Sequence, residues 1–271
     1  MRRYFSKLSI VILLITFSFS LTAQNFSGKA VYMSKTKMDL GSWGAKMSEA
    51  RKKQVAERLK NRLEKTYILE FNKQAATFKE EEKIDAISGA TDSWGSYFSR
   101  GYQYKNIADS KIVQAQEFYG KRFLIKDDLY KIDWTMGSET KQIGNYTCFR
   151  AKAFVPYKEL NWYNFSWGDL RKPETKEGEE PEEKMVLVEA WYTPQIPLAH
   201  GPAEFWGLPG FILEVSAENT TLLCTEIAIS KNDVLEIKAP DKGKEVTKVI
   251  YTETVQAKML DMRNNRGRRR G

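Results

Sequence analysis

Apolar residues recur at every second position through most of the chain. Between Phe26 and Lys37, Val31 and Met33 share one face while Tyr32 takes the other; Tyr67, Leu69 and Phe71 share a face opposite Ile68. Period-two alternation is the mark of a strand with one side buried. The same pattern predicts strands over 111–118, 122–126, 130–136, 146–155, 162–167, 185–193, 211–216 and 221–229. Turn-forming residues separate them: Gly101, Gly120, Asp127-Asp128, Gly137-Ser138, Gly144-Asn145, Pro156 and Glu218-Asn219. So many strands at short spacing, with no βαβ rhythm, predict a mainly β, predominantly antiparallel sheet or barrel.

Three stretches break the alternation. From Lys46 to Lys65 the chain is rich in Lys, Glu, Arg and Ala, and Val55, Leu59 and Leu63 recur every four residues. That spacing predicts an amphipathic helix laid across the sheet, packing on its own core in preference to a partner. Residues 171–184 (RKPETKEGEEPEEK) are charged and Pro-bearing and read as a solvated loop; they lack the alternating Asp spacing of a calcium loop. Residues 86–99 are small and Gly/Ser-rich, the composition of a flexible connection.

The first residues are of another kind. A basic start (MRRYFSK), an almost unbroken apolar run from Leu8 to Leu21 and the small pair Thr22-Ala23 predict a cleavable export signal over 1–23. The run is shorter than the ~20 apolar residues of a membrane anchor, and no Cys follows it to carry a lipid. A single β-rich domain is then expected over 24–262, with a basic, disordered tail over 263–271. The expected location is periplasmic or outer-membrane associated.

Composition sharpens this outline. Hydrophobic residues at 42% and aromatic ones at 13% describe a folded chain, and 17 Gly, 8 Pro and 2 Cys exclude collagen-like and disulfide-dense classes. The net charge of +8 is an effect of the two ends. Without Arg2, Arg3, Lys7 and the five arginines between 263 and 270, 35 basic residues balance 35 acidic ones. A neutral body implies no groove for nucleic acid. The arginine tail has two readings, contact with anionic lipid phosphates or a frayed end. In an oxidising compartment Cys148 and Cys224 are candidates for a disulfide closing a long loop; the alternative is two buried thiols packing as small hydrophobes.

Residues able to do chemistry are sparse. His200 is the only histidine, whereas catalytic zinc sites commonly draw on two or three. There is no G-x-S-x-G elbow, P-loop or dinucleotide fingerprint. No cofactor, metal site or catalytic residue is assigned. The segment 189–215, EAWYTPQIPLAHGPAEFWGLPGFILEV, carries the most information. Pro194 and Pro197 end a strand, Pro202 can open a helical turn, and Leu208-Pro209-Gly210-Phe211 has the chemistry of a type II turn with positive φ at Gly210. The result is a stiff aromatic loop in which Trp191, Tyr192, His200, Phe205 and Trp206 are candidate binding residues. The alternative is that Phe205 and Trp206 plug one end of the concave face.

The run Trp206-Gly207-Leu208-Pro209-Gly210-Phe211-Ile212-Leu213-Glu214 resembles the signature of the GLPGLI family of exported Bacteroidetes proteins, with Phe211 where the name motif has Leu. Phe78 to Lys83, Phe123 to Asp127, Trp134, Glu139 to Cys148 and Ala190 to Pro197 are similar to further family segments. The family has no assigned biochemical function, so the resemblance implies compartment and kinship without an activity. The element order is similar to exported half-barrels of the lipoprotein-carrier type, an analogy of fold alone. Such a curved sheet would hold a hydrophobic ligand, and Tyr163, Phe165 and Trp167 on one strand face would suit its lining. The expectation is a non-catalytic envelope binding or accessory protein, with a hydrophobic ligand or an outer-membrane protein such as a TonB-dependent receptor as partner. The alternatives are an envelope hydrolase working through His200 and an acid such as Glu204, or a structural assembly protein.

Overall fold

The computed structural model describes residues 26–37, 44, 46–81, 100–165, 183–230 and 235–268. The expected signal peptide, the connection over 86–99, Trp167 and most of the acidic loop lie outside the described residues. The strands are β1 Ser27–Thr36, β2 Glu64–Phe71, β3 Ala75–Glu80, β4 Gln103–Asn106, β5 Lys111–Phe118, β6 Lys121–Asp128, β7 Thr135–Ile143, β8 Tyr146–Pro156, β9 Met185–Thr193, β10 Phe211–Ala217, β11 Thr220–Ser230 and β12 Lys244–Val246. The helices are α1 Glu49–Leu63, α2 Tyr157–Asn161 and α3 Lys248–Arg268.

All the described strands join one 12-stranded sheet in the order β12-β6-β5-β4-β3-β2-β1-β11-β10-β9-β8-β7. Every pairing is antiparallel except the short β12–β6 pair. The sheet does not close on itself: β12 and β7 are its free ends. It curls nonetheless. β2 and β10 stand three strands apart, about 14 Å on a flat sheet at ~4.8 Å per strand, yet the Phe71 and Phe211 rings lie with centroids 4.8 Å apart. The Tyr32 hydroxyl of β1 likewise donates to the Ile212 carbonyl at 2.5 Å. The fold is therefore a mainly β, open, curved sheet with a long C-terminal helix.

The hydrophobic core lies in the curl, where Ala30, Tyr32, Leu69, Phe71, Phe78, Val188, Phe211, Ile212 and Val215 meet. A second cluster fills the other end. There Tyr251, Val255 and Met259, one helical turn apart on α3, pack with Phe118, Phe123, Ile125, Trp162 and Phe165. That stripe anchors α3, which continues to Arg268. The helix thus takes in the described part of the segment from 263: Arg is a good helix former, and an anchored helix propagates cheaply.

Two expected strands are absent. Residues 129–134 are irregular, and β7 runs instead through Gly137 and Ser138, where a bulge between Met136 and Thr140 absorbs the expected turn. Over 162–165 the chain leaves the short helix α2, with its aromatic residues spent on the second cluster. The first helix is found at 49–63, opened by Ser48, whose hydroxyl accepts from the Arg51 N–H. Its stripe of Val55, Leu59 and Leu63 is only half-buried beside β1 and β2.

Candidate functional site

The loop between β9 and β10 fills the curl. Its backbone is tied down: Phe211 N–H donates to the Ile196 carbonyl at 3.1 Å, Ile212 N–H to His200 at 3.0 Å and Gly207 N–H to Ala199 at 3.1 Å. Indoles fix it from outside. Trp134 Nε1 donates to the Trp206 carbonyl at 2.8 Å, and Trp206 Nε1 to the Tyr130 carbonyl at 2.9 Å. Leu198, Ala203, Phe205 and Leu208 are buried. The loop is a plug, as one of the two readings expected, but its turn chemistry differs. Positive φ occurs at Ala203 (53°) and Gly207 (91°), not at Gly210. Gly210 is required because a Cβ there would collide with the Thr193 carbonyl oxygen.

Beneath the plug sits a buried polar cluster. Arg100, just before β4, pairs with the Glu204 carboxylate. Its Nη2 donates to the Tyr163 hydroxyl at 2.8 Å, and its guanidinium lies 4.6 Å over the Tyr163 ring. Gln103 Nε2 donates to Glu204 Oε1 at 3.2 Å and to Gln114 Oε1 at 3.0 Å. Burial opposes the charge on Arg100, but Glu204 and Tyr163 outweigh it and hold the guanidinium charged. Lys105, fully buried on β4, caps the plug by donating to the carbonyls of Gly201 at 2.7 Å and Phe205 at 3.2 Å. Burial lowers its pKa to about 7, with Glu204 opposing that and Arg100 adding to it.

His200 stands apart from this cluster's carboxylate. Its Nε2 lies 2.8 Å from the Asn72 carbonyl oxygen at the β2–β3 turn. A carbonyl only accepts, so Nε2 carries the hydrogen, and the buried Nδ1 is left without a partner. Burial, reinforced by Lys105, pushes the imidazole down to about 3. The hydrogen bonds of the two side chains run to other groups: His200 Nε2 to the Asn72 carbonyl, and Glu204 Oε1 to Arg100 and Gln103.

The other candidates scatter. Tyr192 faces the core, while Trp191, its neighbour on the strand, points the opposite way under the Lys141 ammonium at 4.4 Å. Of the five candidate binding residues, His200 and Phe205 belong to the plug's interior, Trp206 latches its rim, and Trp191 and Tyr192 lie along β9. Cys148 and Cys224 are both buried and unbridged. In the sheet order β9 and β10 stand between their strands. Burial raises the two thiols to about 11 and about 12.

The residues that sequence reasoning missed are Arg100, Gln103, Lys105 and Gln114; Tyr163 was expected only as a strand-borne lining residue beside Phe165 and Trp167. Gln103, Lys105 and Gln114 occupy inward positions of period-two strands, where alternation alone reads a polar residue as solvent-facing. Next to the cluster lies a cavity of about 100 Å³. Its lining includes Arg100, Tyr163 and Glu204 with Leu160, Val215 and Leu222. Glu204 Oε2, buried, has no hydrogen-bond partner. Among the described residues no group of three or more His, Cys, Asp or Glu is placed to hold a metal ion. No helix among them is long and apolar enough to cross a membrane.

Two solved structures of PNGF-II, in C2 and P21 space groups, superpose with TM-score 0.46 at 14% identity over 85% of this chain. The chain spans about a third of their length (32% and 33%), a likeness too remote to assign fold or activity. No curated protein matches the chain. Residues 134–214, which run from the start of β7 through the plug and into β10, match the model of a family described as "Protein of unknown function (Porph_ging)".

Proposed function

We propose that this chain is an exported envelope protein that binds without transforming, an accessory module of the GLPGLI type. The observation that carries the reading is the state of its one imidazole: His200 is 0% exposed, bonded to a backbone carbonyl and held neutral by burial. A general base must reach substrate and sit near a proton-accepting partner, and this imidazole does neither. The charged N-terminus and apolar run support export. The cavity of about 100 Å³ is smaller than the ~300–1,000 Å³ of ordinary ligand pockets. It favours a small guest over an acyl chain, and leaves an outer-membrane partner to bind on the outside of the sheet.

Native mass spectrometry and cross-linking of protein isolated from its own envelope would test the reading. The expected result is a constant adduct or partner that survives gentle purification and is retained by His200→Gln. An envelope hydrolytic activity present in the native protein and lost in both His200→Gln and Glu204→Gln would overturn it.

A further inference from the structure

The helix α1 is joined to neither core. Its apolar stripe of Val55, Leu59 and Leu63 belongs neither to the cluster in the curl nor to the one under α3, and it is left half-buried beside β1 and β2. Among the described residues, no side-chain hydrogen bond or ion pair runs from α1 to the sheet. Those it makes, the Arg51 N–H to the Ser48 hydroxyl and Lys52 to Glu49 at 2.7 Å, stay within its own first turn. The charges of the helix point to what the stripe would meet. Over Glu49–Leu63, Arg51, Lys52, Lys53, Arg58, Lys60 and Arg62 stand against Glu49 and Glu57 alone. At 3.6 residues per turn, Arg51 and Arg58 fall on one flank of the stripe and Lys53 and Lys60 on the other. All four are exposed, and none makes an ion pair among the described residues. The carboxylates do not offset them: Glu49 is held by Lys52, and Glu57 falls on the face opposite the stripe.

We propose that α1 docks the protein on an anionic phospholipid surface, with Val55, Leu59 and Leu63 entering the acyl boundary and Arg51, Lys53, Arg58 and Lys60 meeting headgroup phosphates. An apolar stripe edged on both sides by cations matches a surface that is anionic outside and apolar just beneath. An acidic protein surface would meet the cations and leave the stripe wet. The stripe is short and carries no aromatic residue, so most of the attraction is electrostatic and falls with salt. The inference goes beyond the binding reading above and stands without it, because a lipid vesicle supplies the whole partner.

The test sediments the mature chain, from Gln24 and so without the apolar leader, with vesicles of phosphatidylcholine alone or mixed with phosphatidylglycerol. Binding should be at least about tenfold tighter to the anionic vesicles and should weaken steeply between ~0.1 and ~0.5 M salt. Arg51→Gln, Lys53→Gln, Arg58→Gln and Lys60→Gln together, all on exposed side chains, should lower that affinity at least about tenfold and leave the urea midpoint unchanged. Both native cysteines are buried, so a polarity-sensitive dye can be placed on a single new thiol. At Leu59→Cys its emission should shift to the blue on anionic vesicles, and at Glu57→Cys it should not. Failure to bind, equal binding to the two vesicle types, or equal dye responses at the two positions would overturn the inference. Binding that survives the four substitutions would also overturn it, and its loss on removal of residues 263–271 would then assign the contact to the arginine tail.

Discussion

His200 and Lys105 are the residues whose surroundings most distort their ordinary chemistry, and both make predictions in pH. The imidazole titrates near 3 in the folded chain and near ~6.5 unfolded. Its folded pKa is depressed, so the unfolded state binds more protons between those values and stability rises with pH across that window. The contribution is complete above about pH 6.5 and is lost as the pH falls, about 2 kcal/mol of it by pH 5. Urea titrations at pH 4 to 7 should show this slope, and His200→Gln, which keeps a donor for the Asn72 carbonyl, should flatten it. A slope unchanged by the substitution would remove the imidazole as its source. Lys105, depressed to about 7, acts in a higher window: stability should rise between pH 7 and about 10, and Lys105→Met should abolish that rise. The cysteines make a third prediction. With thiols raised to about 11 and about 12 by burial, neither is a thiolate near neutrality, and reactivity follows the thiolate. Iodoacetamide without reductant should label neither in the native protein and both in denaturant; failure of both to label after unfolding would report a bridge.

At the scale of elements, what the sequence made legible follows from how each element earns its burial. Strands with one wet face, β1, β5, β8, β9 and β11, alternate cleanly and lie within a residue or so of where the pattern puts them. β4 escapes notice because its inward positions are Gln103 and Lys105, so its alternation carries no hydrophobic signal. The aromatic run at 162–165 alternates like a strand, yet its rings serve the second cluster from irregular chain. The long helix α3 carries only the short apolar stripe Tyr251, Val255 and Met259 at spacing four, a weak helical signal beside the arginines that follow. The plug was legible as a stiff loop, while the Arg100–Glu204 pair beneath it joins residues 104 positions apart, a contact that no local pattern encodes. These facts set the mutational contrast on α3. Met259, 1% exposed, should cost about 2–4 kcal/mol when cut to alanine, whereas Val249→Ala, on the solvent side at 64% exposure, should stay within about 0.5 kcal/mol. Chemical denaturation of the two variants side by side checks it, and equal losses would mean that α3 does not dock through this stripe.

For the whole molecule, one sheet serves two cores. The larger core is closed by long-range contacts: Phe71 on Phe211, Tyr32 on the Ile212 carbonyl, and the plug pinned by Lys105, Trp134 and Trp206. The smaller core depends on α3 lying across β5 and β6, next to a three-residue parallel strand at the sheet's end. Fewer buried apolar groups hold that end, and local opening free energies follow such density. Native-state hydrogen exchange should therefore find the amides of β6, β12 and α3 opening at lower free energy than those of β1, β2, β10 and β11, which should exchange only with global unfolding. Met259→Ala should lower protection of the first group more than that of the second, since it loosens one core and spares the other. If both groups respond together, the sheet couples the two cores into a single cooperative unit, and the plug's rigidity then depends on the C-terminal helix as well as on its own lysine and indole latches.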